Sequence, residues 1–209
     1  MILPSGFAGA AFGTIETGDL RLNLSRRKQV ADELGISPDW AFVNQIHSAA
    51  VVTATGGGNL GEADAIVTAV PGLPIAVATA DCVPIIIEAA SAVAVVHAGW
   101  RGAVAGVVPA TLALLKARGH RPRRAAIGPA IGACCYEVGA EVIAQFPGFA
   151  AETTWGSPSV DIPGYIAAQL ADLEVWRSVE CTYTSDALYS WRSDRTKQRQ
   201  VAVTWLPNN

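Results

Sequence analysis

The stretch IAVATADCVPIIIEAASAVAVVHAGWRG, residues 75–102, contains two nearly unbroken apolar runs. Residues 75–89 and 92–97 read as strands, short and rich in β-branched side chains, with a tight connection between them. The second run ends in His97, Trp100 and Arg101, with Gly99 and Gly102 on either side of the last two. Folding the stretch as a hairpin centred between Ala89 and Ala90 sets Cys82 directly across from His97. Opposed residues of an antiparallel pair hold their Cβ atoms roughly 4.5–5.5 Å apart, within reach of one shared metal ion. Pro84 cannot donate to a ladder, so the first strand is expected to be an edge strand or to bulge near Cys82. A two-residue slip still leaves Cys82 and His97 as diagonal neighbours.

Outward from this stretch, short strands mix with a few helices. Strands are expected at 20–24, 40–47, 49–55 and 65–70, with 56–64 a loop. A helix is expected over 26–35, ended by Gly35, and another over 103–118, with Lys116 and Arg118 in its last turn and Gly119 beyond. Pro109 either starts or kinks that second helix. Residues 123–132 read as a strand entering a glycine-proline loop, and 139–146 as a helix stopped by Pro147. Asp161 is placed to cap a helix over 162–171 with Pro163 in its first turn. Strands at 181–185 and 199–206 finish the chain. This order implies a mixed α/β or α+β fold, and neither repeats nor a long linker divide residues 1–209 into more than one domain.

Composition narrows the function classes. Half of the 209 residues are hydrophobic and 16% are charged, so the chain is globular and can bury a large core. A net charge of −3 with no long basic run gives no footprint for nucleic acid. No stretch reaches the roughly 18–20 apolar residues of a membrane span, and the opening lacks the basic region of a secretory signal. The four cysteines, Cys82, Cys134, Cys135 and Cys181, include an adjacent pair and make a poor disulfide framework. A cytoplasmic protein with free thiols is the expectation.

There are three histidines. His120 follows the helix-ending Gly119 and reads as a surface residue, whereas His47 and His97 both end apolar strands. Two imidazoles and the Cys82 thiolate make a three-ligand set suited to Zn²⁺ with a fourth position open, the pattern of catalytic rather than structural zinc.

NQIHSAAVV (44–52), ADAIVTAVPGLPIAVATADCVPIII (63–87), AVVHAGWRGAVAGVV (94–108), IGPAIGACCYEVG (127–139) and CTYTSDALYSWRSD (181–194) together resemble one family. It is the bacterial laccase-domain proteins, long described as multicopper polyphenol oxidases and since reassigned as zinc-dependent purine nucleoside phosphorylases. The likeness runs from about residue 12 to residue 206. It implies a four-layer α/β fold and a metal held by His47, Cys82 and His97. It further implies phosphorolysis of adenosine, inosine, guanosine or methylthioadenosine, with deamination of adenosine as a second activity. The chain departs from the family pattern in FGTIETG (12–18), which lacks the family's arginine, Arg21 being the nearest. It also carries Ala130 where the glycine-proline loop often has a cysteine.

Phosphorolysis needs a cation for the phosphate and a group that helps the purine depart, because the sugar becomes oxocarbenium-like. Arg101 suits phosphate, with Gly99 and Gly102 shaping a turn into a helix start whose amides favour an anion. Asp81 is a candidate acid-base, although on an extended strand it faces away from Cys82. Gln45 shares a face with His47, and Ser190 and Arg192 alternate with Trp191 as a second polar pair for substrate. Cys134 and Cys135 read as inert, and Trp100 as core packing rather than a base-stacking platform. Multicopper oxidation is disfavoured by arithmetic: such centres need about ten imidazoles, and the chain has three. Copper remains able to occupy the His-Cys-His set in vitro. Two rival readings stand beside the phosphorylase. One is a metal-free cysteine hydrolase or deamidase with Cys82 as nucleophile and His97 as base. The other is a non-enzymatic cell-division or envelope partner with a structural metal.

Overall fold

The computed structural model describes residues 1–208. In chain order it begins with β1 (Ala10–Phe12), α1 (Leu24–Leu34), β2 (Ala41–Asn44), β3 (Val51–Thr53), β4 (Gly58–Glu62) and β5 (Ala65–Thr68). Next come β6 (Ile75–Thr79), β7 (Val83–Ala89), β8 (Val93–Ala98), α2 (Trp100–Ala105), α3 (Val107–Ala117) and β9 (Pro122–Ile127). The remainder is α4 (Ala140–Ile143), β10 (Ala150–Glu152), β11 (Pro158–Val160), α5 (Ile162–Gln169), β12 (Glu174–Arg177), α6 (Trp191–Asp194) and β13 (Gln200–Thr204).

Two sheets carry the fold, ordered β1-β13-β6-β2-β4 and β12-β9-β7-β8-β5-β3, with β10 and β11 as a separate hairpin. Each sheet mixes parallel and antiparallel pairs. β5, β6, β7, β8 and β13 are apolar on most residues because both faces are covered. Ile86, Val95 and Ile66 of the six-stranded sheet meet Phe12, Ile75, Val77 and Ala202 of the five-stranded one in a core between the sheets. Ile85, Ile87, Val96 and Val67 point the other way, onto Val107, Val108, Leu115 and Ile166 of α3 and α5. On the far side of the five-stranded sheet, Ala76, Ala78, Val201 and Val203 pack on Val30 and Ala31 of α1 and on Trp40. The result is four layers, helix–sheet–sheet–helix, as expected. Each fully buried isoleucine contributes roughly 1.5–3 kcal/mol of transfer free energy to the stack.

The deciding stretch folds differently from a simple hairpin. Residues 75–89 are two strands in two different sheets, β6 and β7, and Asp81 at φ 89° turns the chain from one to the other. The β7–β8 hairpin does form, but Pro84 pairs with His97 and Val83 with Ala98. The Ala89 amide donates to Ala92, so Ala90 and Ser91 make a two-residue turn and the register sits two residues from the expected one. Cys82 therefore lies just past the ladder, level with Gly99. β7 is central, between β9 and β8, and Pro84 is tolerated because it sits at the strand's beginning.

Other expectations shift for local reasons. No strand forms at 20–24: the Asn23 side chain accepts the Arg26 amide and caps α1, so capping chemistry overrides the alternating pattern. The expected loop 56–64 contains β4, a glycine-rich edge strand whose composition hides it. The expected helix over 103–118 begins earlier, at Trp100, and breaks at Gly106 (φ 87°) into α2 and α3, with Pro109 in the first turn of α3. Residues 181–185 make turns and one isolated bridge, Ala130 to Cys181, in place of a strand. The Asp161 cap forms as expected, its carboxylate accepting from Gly164. Among the described residues no helix is long and apolar enough to cross a membrane.

Candidate metal centre and cleft

Three chain segments bring the donor set together: the loop after β2, the β6–β7 crossover, and the end of β8. His47 sits at φ 60° and Asp81 at φ 89°, left-handed values that are uncommon outside glycine. Such conformations cost about 1–3 kcal/mol each and persist where surrounding contacts over-determine them. For the His47 loop those contacts come from Asp64, a fully buried carboxylate just before β5. Its Oδ1 accepts from the His47 amide (3.0 Å) and faces Nδ1 of His97 (2.8 Å). Its Oδ2 accepts from the amides of Ile46 (3.3 Å) and Ser48 (2.6 Å) and from the Ser48 hydroxyl (2.8 Å). Burial pushes the Asp64 carboxyl up, yet the His97 hydrogen bond and the Ser48 donors outweigh it and hold it well below the usual carboxylate range. With Nδ1 committed to Asp64, His97 has Nε2 left to present.

Ligand atoms of His47, Cys82 and His97 lie within 4.8 Å of one another. Cys82 Sγ is 3.8 Å from His47 Nε2, and the two imidazole rings meet edge-on with centroids 4.8 Å apart. In a tetrahedral site with Zn–N near 2.0–2.1 Å and Zn–S near 2.3 Å, neighbouring ligand atoms stand about 3.5 Å apart. The donor set therefore fits a first-row divalent ion. Burial pushes the Cys82 thiol up, but the His97 imidazolium and hydrogen bonds from both histidines bring it to about 6. Burial pushes His97 down, and Cys82 and Asp64 raise it to about 9.

Gly99 and Gly102 make the centre possible through close approach rather than through a turn. Gly99 has an ordinary φ of −73°. A Cβ there would stand 2.6 Å from His47 Cδ2 and 3.0 Å from Cys82 Sγ. A Cβ on Gly102 would stand 3.1 Å from the Ser48 carbonyl oxygen, where α2 meets the His47 loop.

The centre opens on a cleft of about 950 Å³. Its lining includes His47, Cys82, His97, Asp81, Gln45, Arg101 and Arg192, which were all expected at the site. Arg101 is exposed at the start of α2, its guanidinium 4.2 Å from the Trp100 ring. Arg192 donates to the Glu137 carbonyl (2.7 Å) and lies 5.1 Å from the Tyr136 ring. Ser190 is buried and does not line the cleft. It caps α6 and donates to Asp81 Oδ1 at 2.7 Å. Asp81 also accepts from the Thr182 hydroxyl and the Arg192 amide, both at 2.7 Å. Its carboxylate thus ties the C-terminal segment to the crossover that carries Cys82. Gln45 is likewise engaged, donating to the Ala78 carbonyl and accepting its amide at 2.8 Å, which ties β2 to β6 below their ladder.

Several cleft residues carry no role in the sequence pattern, Arg21 being noted there only as the arginine nearest to the missing one. Arg21, Arg27 and Arg199 join Arg101 and Arg192 to give five arginines against Asp39 and Asp81, an electropositive lining. Arg21 is clamped by Asp19 at 3.0 and 2.6 Å. Tyr136 also lines the cleft, its phenol pushed up to about 12 by burial and the nearby Cys82 charge. Asp64 had one signal in the sequence, a lone carboxylate between alanines at the head of an apolar run.

Comparison with known proteins agrees with this architecture. The family model described as multi-copper polyphenol oxidoreductase laccase matches residues 10–207. The chain is 38% identical to purine nucleoside phosphorylase ORF3 of Streptomyces griseus, over 96% of this chain and 90% of that protein. It is 41% identical to purine nucleoside phosphorylase SCO2081 of Streptomyces coelicolor, over 87% of this chain and 81% of that one. Among solved structures it is similar to the hypothetical protein YfiH of Bacillus licheniformis, with TM-score 0.83 and 26% identity over 94% and 92% of the two chains. The Neisseria meningitidis protein NMB0706 aligns with TM-score 0.75 and 32% identity over 88% and 80%. With the four-layer fold and the His-Cys-His set in place, this chain belongs to the multi-copper polyphenol oxidoreductase laccase family.

Proposed function

We propose that the chain is a purine nucleoside phosphorylase that works in the cleft at His47, Cys82 and His97. The carrying observation is a three-donor metal set opening onto a cleft lined by five arginines. Its relatives named purine nucleoside phosphorylase support the same reading. In the reaction a phosphate oxygen bonds to the anomeric carbon, the carbon–nitrogen bond to the purine breaks, and the proton of the hydrogen phosphate ends on the departing base. Arg101 and Arg192 offer guanidinium groups for the phosphate. Arg21, Arg27 and Arg199 add guanidinium groups to the same lining. Asp81, Ser190 and Gln45 act as positioning residues, since their polar atoms are spent on the backbone and on each other. His47, Cys82 and His97 would hold Zn²⁺, which supplies a Lewis acid beside the bound nucleoside. Adenosine deamination at the same centre is a second activity of this proposal. Cytoplasmic residence is part of it as well.

Anaerobic incubation of the zinc-loaded protein with inosine and phosphate tests the reading. Hypoxanthine and ribose-1-phosphate are the expected products, and Arg101→Ala is expected to raise the KM for phosphate. Absence of both products, with adenosine also untouched, would overturn it.

One observation favours a second reading. Cys82, His97 and Asp64 form a thiol–imidazole–carboxylate series with the thiol held at about 6, an arrangement able to activate a nucleophile. Metal analysis separates the two. One tightly bound zinc fewer per chain in Cys82→Ala than in the unsubstituted protein leaves no free thiolate for a hydrolase.

A further inference from the structure

Three of the four cysteines lie outside the cleft centre, and the structure gathers them. Cys134 and Cys135 follow Gly132 in a tight turn in which the Cys135 and Tyr136 amides both donate to the Gly132 carbonyl (3.0 and 3.1 Å). Cys181 arrives from the other end of the chain, bridged to Ala130, with the Thr182 amide donating to the Ala130 carbonyl at 3.0 Å. The Cys134 carbonyl is itself held by the Thr154 amide at 2.8 Å. Backbone contacts thus fix both segments, and their three sulfur atoms come within 4.8 Å of one another. Cys134 Sγ stands 3.6 Å from Cys181 Sγ, and all three thiols are free.

The surroundings favour thiolate at one of the three, Cys181. The Gly132 amide donates to Cys181 Sγ at 3.2 Å. Burial pushes Cys181 up, and the Gly132, Tyr183 and Thr184 amides outweigh it and bring the thiol below its ordinary value. Cys134 and Cys135 are pushed the other way, by burial first and by their sulfur neighbours as well. Three sulfurs this close cannot all ionise unless a cation offsets their mutual repulsion. Sulfur atoms on a common ion at about 2.3 Å stand roughly 3.8 Å apart, close to the spacing found. Gly132 lies directly against the pair: a Cβ built there would be in ordinary contact with Cys134 Sγ at 3.4 Å and Cys181 Sγ at 3.7 Å. A second cavity of about 410 Å³, lined by Gly132, Cys181, Arg177 and Glu180, reaches the cluster at Cys181.

We propose that Cys134, Cys135 and Cys181 form a second metal site, independent of the His47–Cys82–His97 set, which takes a soft thiophilic d¹⁰ cation. Thiolate-only coordination selects Cu(I) or Zn(II) over harder ions. The two differ in coordination number, three sulfurs satisfying Cu(I) and Zn(II) needing a fourth ligand.

Reduced, metal-free Cys82→Ser protein, in which the first centre lacks its sulfur, is titrated anaerobically with Cu(I) or with Co(II) as a stand-in for Zn(II). One equivalent is expected to bind with sulfur-to-metal charge-transfer absorption. Adding Cys134→Ser or Cys181→Ser is expected to abolish that band. In the unsubstituted chain, saturating Cu(I) or Zn(II) is expected to protect Cys134 and Cys181 from iodoacetamide, read by mass spectrometry, which needs no variant to fold. The proposal is overturned if the three-thiol site binds neither ion, or if alkylation of Cys134 and Cys181 is unchanged by metal. It is equally overturned if the reduced thiols bind nothing while mild oxidation links Cys134 to Cys181.

Discussion

Replacing Asp64 by asparagine tests the logic of the centre with a change of one atom. The carboxylate takes five donors: Nδ1 of His97, the amides of Ile46, His47 and Ser48, and the Ser48 hydroxyl. Asparagine keeps one acceptor oxygen and turns the other into an NH₂ donor. If the oxygen stays toward His97, the NH₂ faces the Ile46 and Ser48 amides, and the loop that holds His47 at φ 60° loses its anchor. If the NH₂ faces His97 instead, Nδ1 must accept, the ring proton moves to Nε2, and that nitrogen can no longer ligate. Either orientation removes one ligand from its place. Loss of a carboxylate partner behind a metal-bound imidazole typically lowers affinity about 10–100-fold, or roughly 1.4–2.7 kcal/mol. Folding also loses charge-assisted hydrogen bonds worth about 1.5–3 kcal/mol each. The assay is competition for Zn²⁺ against a chromophoric chelator, with thermal unfolding measured in parallel with and without metal. An Asp64→Asn protein that folds and holds zinc within twofold of the unsubstituted chain would refute the reasoning.

Other perturbations read different parts of the site. Gly99→Ala, whose methyl would collide with His47 and Cys82, should abolish metal binding at the His47–Cys82–His97 set with only a small change in the unfolding temperature of the metal-free protein; retention of metal at that set would count against the close-approach account. In metal-free protein, the ultraviolet thiolate signal of Cys82, taken as the difference from Cys82→Ser, should rise with pH through about 6. The shift is downward from 9.0 because the His97 imidazolium favours the anion, so His97→Asn should move the midpoint up; a midpoint near 9.0 in the unsubstituted protein would remove the ion-pair picture. Asp81→Asn should lower kcat at a roughly constant pH optimum, because it frees Ser190, Thr182 and Arg192 without removing an acid; an altered limb of the pH–rate profile would make Asp81 an acid-base group instead.

Residues that reveal themselves by local pattern were legible in the sequence. Helix α1 with Gly35, the Asp161 cap and the paired runs that become β7 and β8 all follow from short-range chemistry. His47, Cys82 and His97 stood out because polar donors at the ends of apolar strands are rare. The cluster survived a two-residue error in register because Cys82 lies beyond the ladder, beside Gly99. Asp64 was missed because a single buried carboxylate has no periodicity; its meaning lies in donors 16 to 33 residues away.

By itself, the sequence determined the mixed α/β class of the fold, most of the apolar strands that make it, and the donor residues of the candidate centre, while the four layers came with the family resemblance. It could not determine which sheet each strand joins. Residues 75–79 and 83–89 are equally apolar, and only the turn at Asp81, fixed by hydrogen bonds from residues 182, 190 and 192, sends them into different sheets. Likewise the five arginines of the cleft come from three regions of the chain, 21–27, 101 and 192–199, and the three thiols of Cys134, Cys135 and Cys181 from two. Composition and spacing report neighbours along the chain. Charge gathered across it exists only once the packing of the four layers has set the loops side by side.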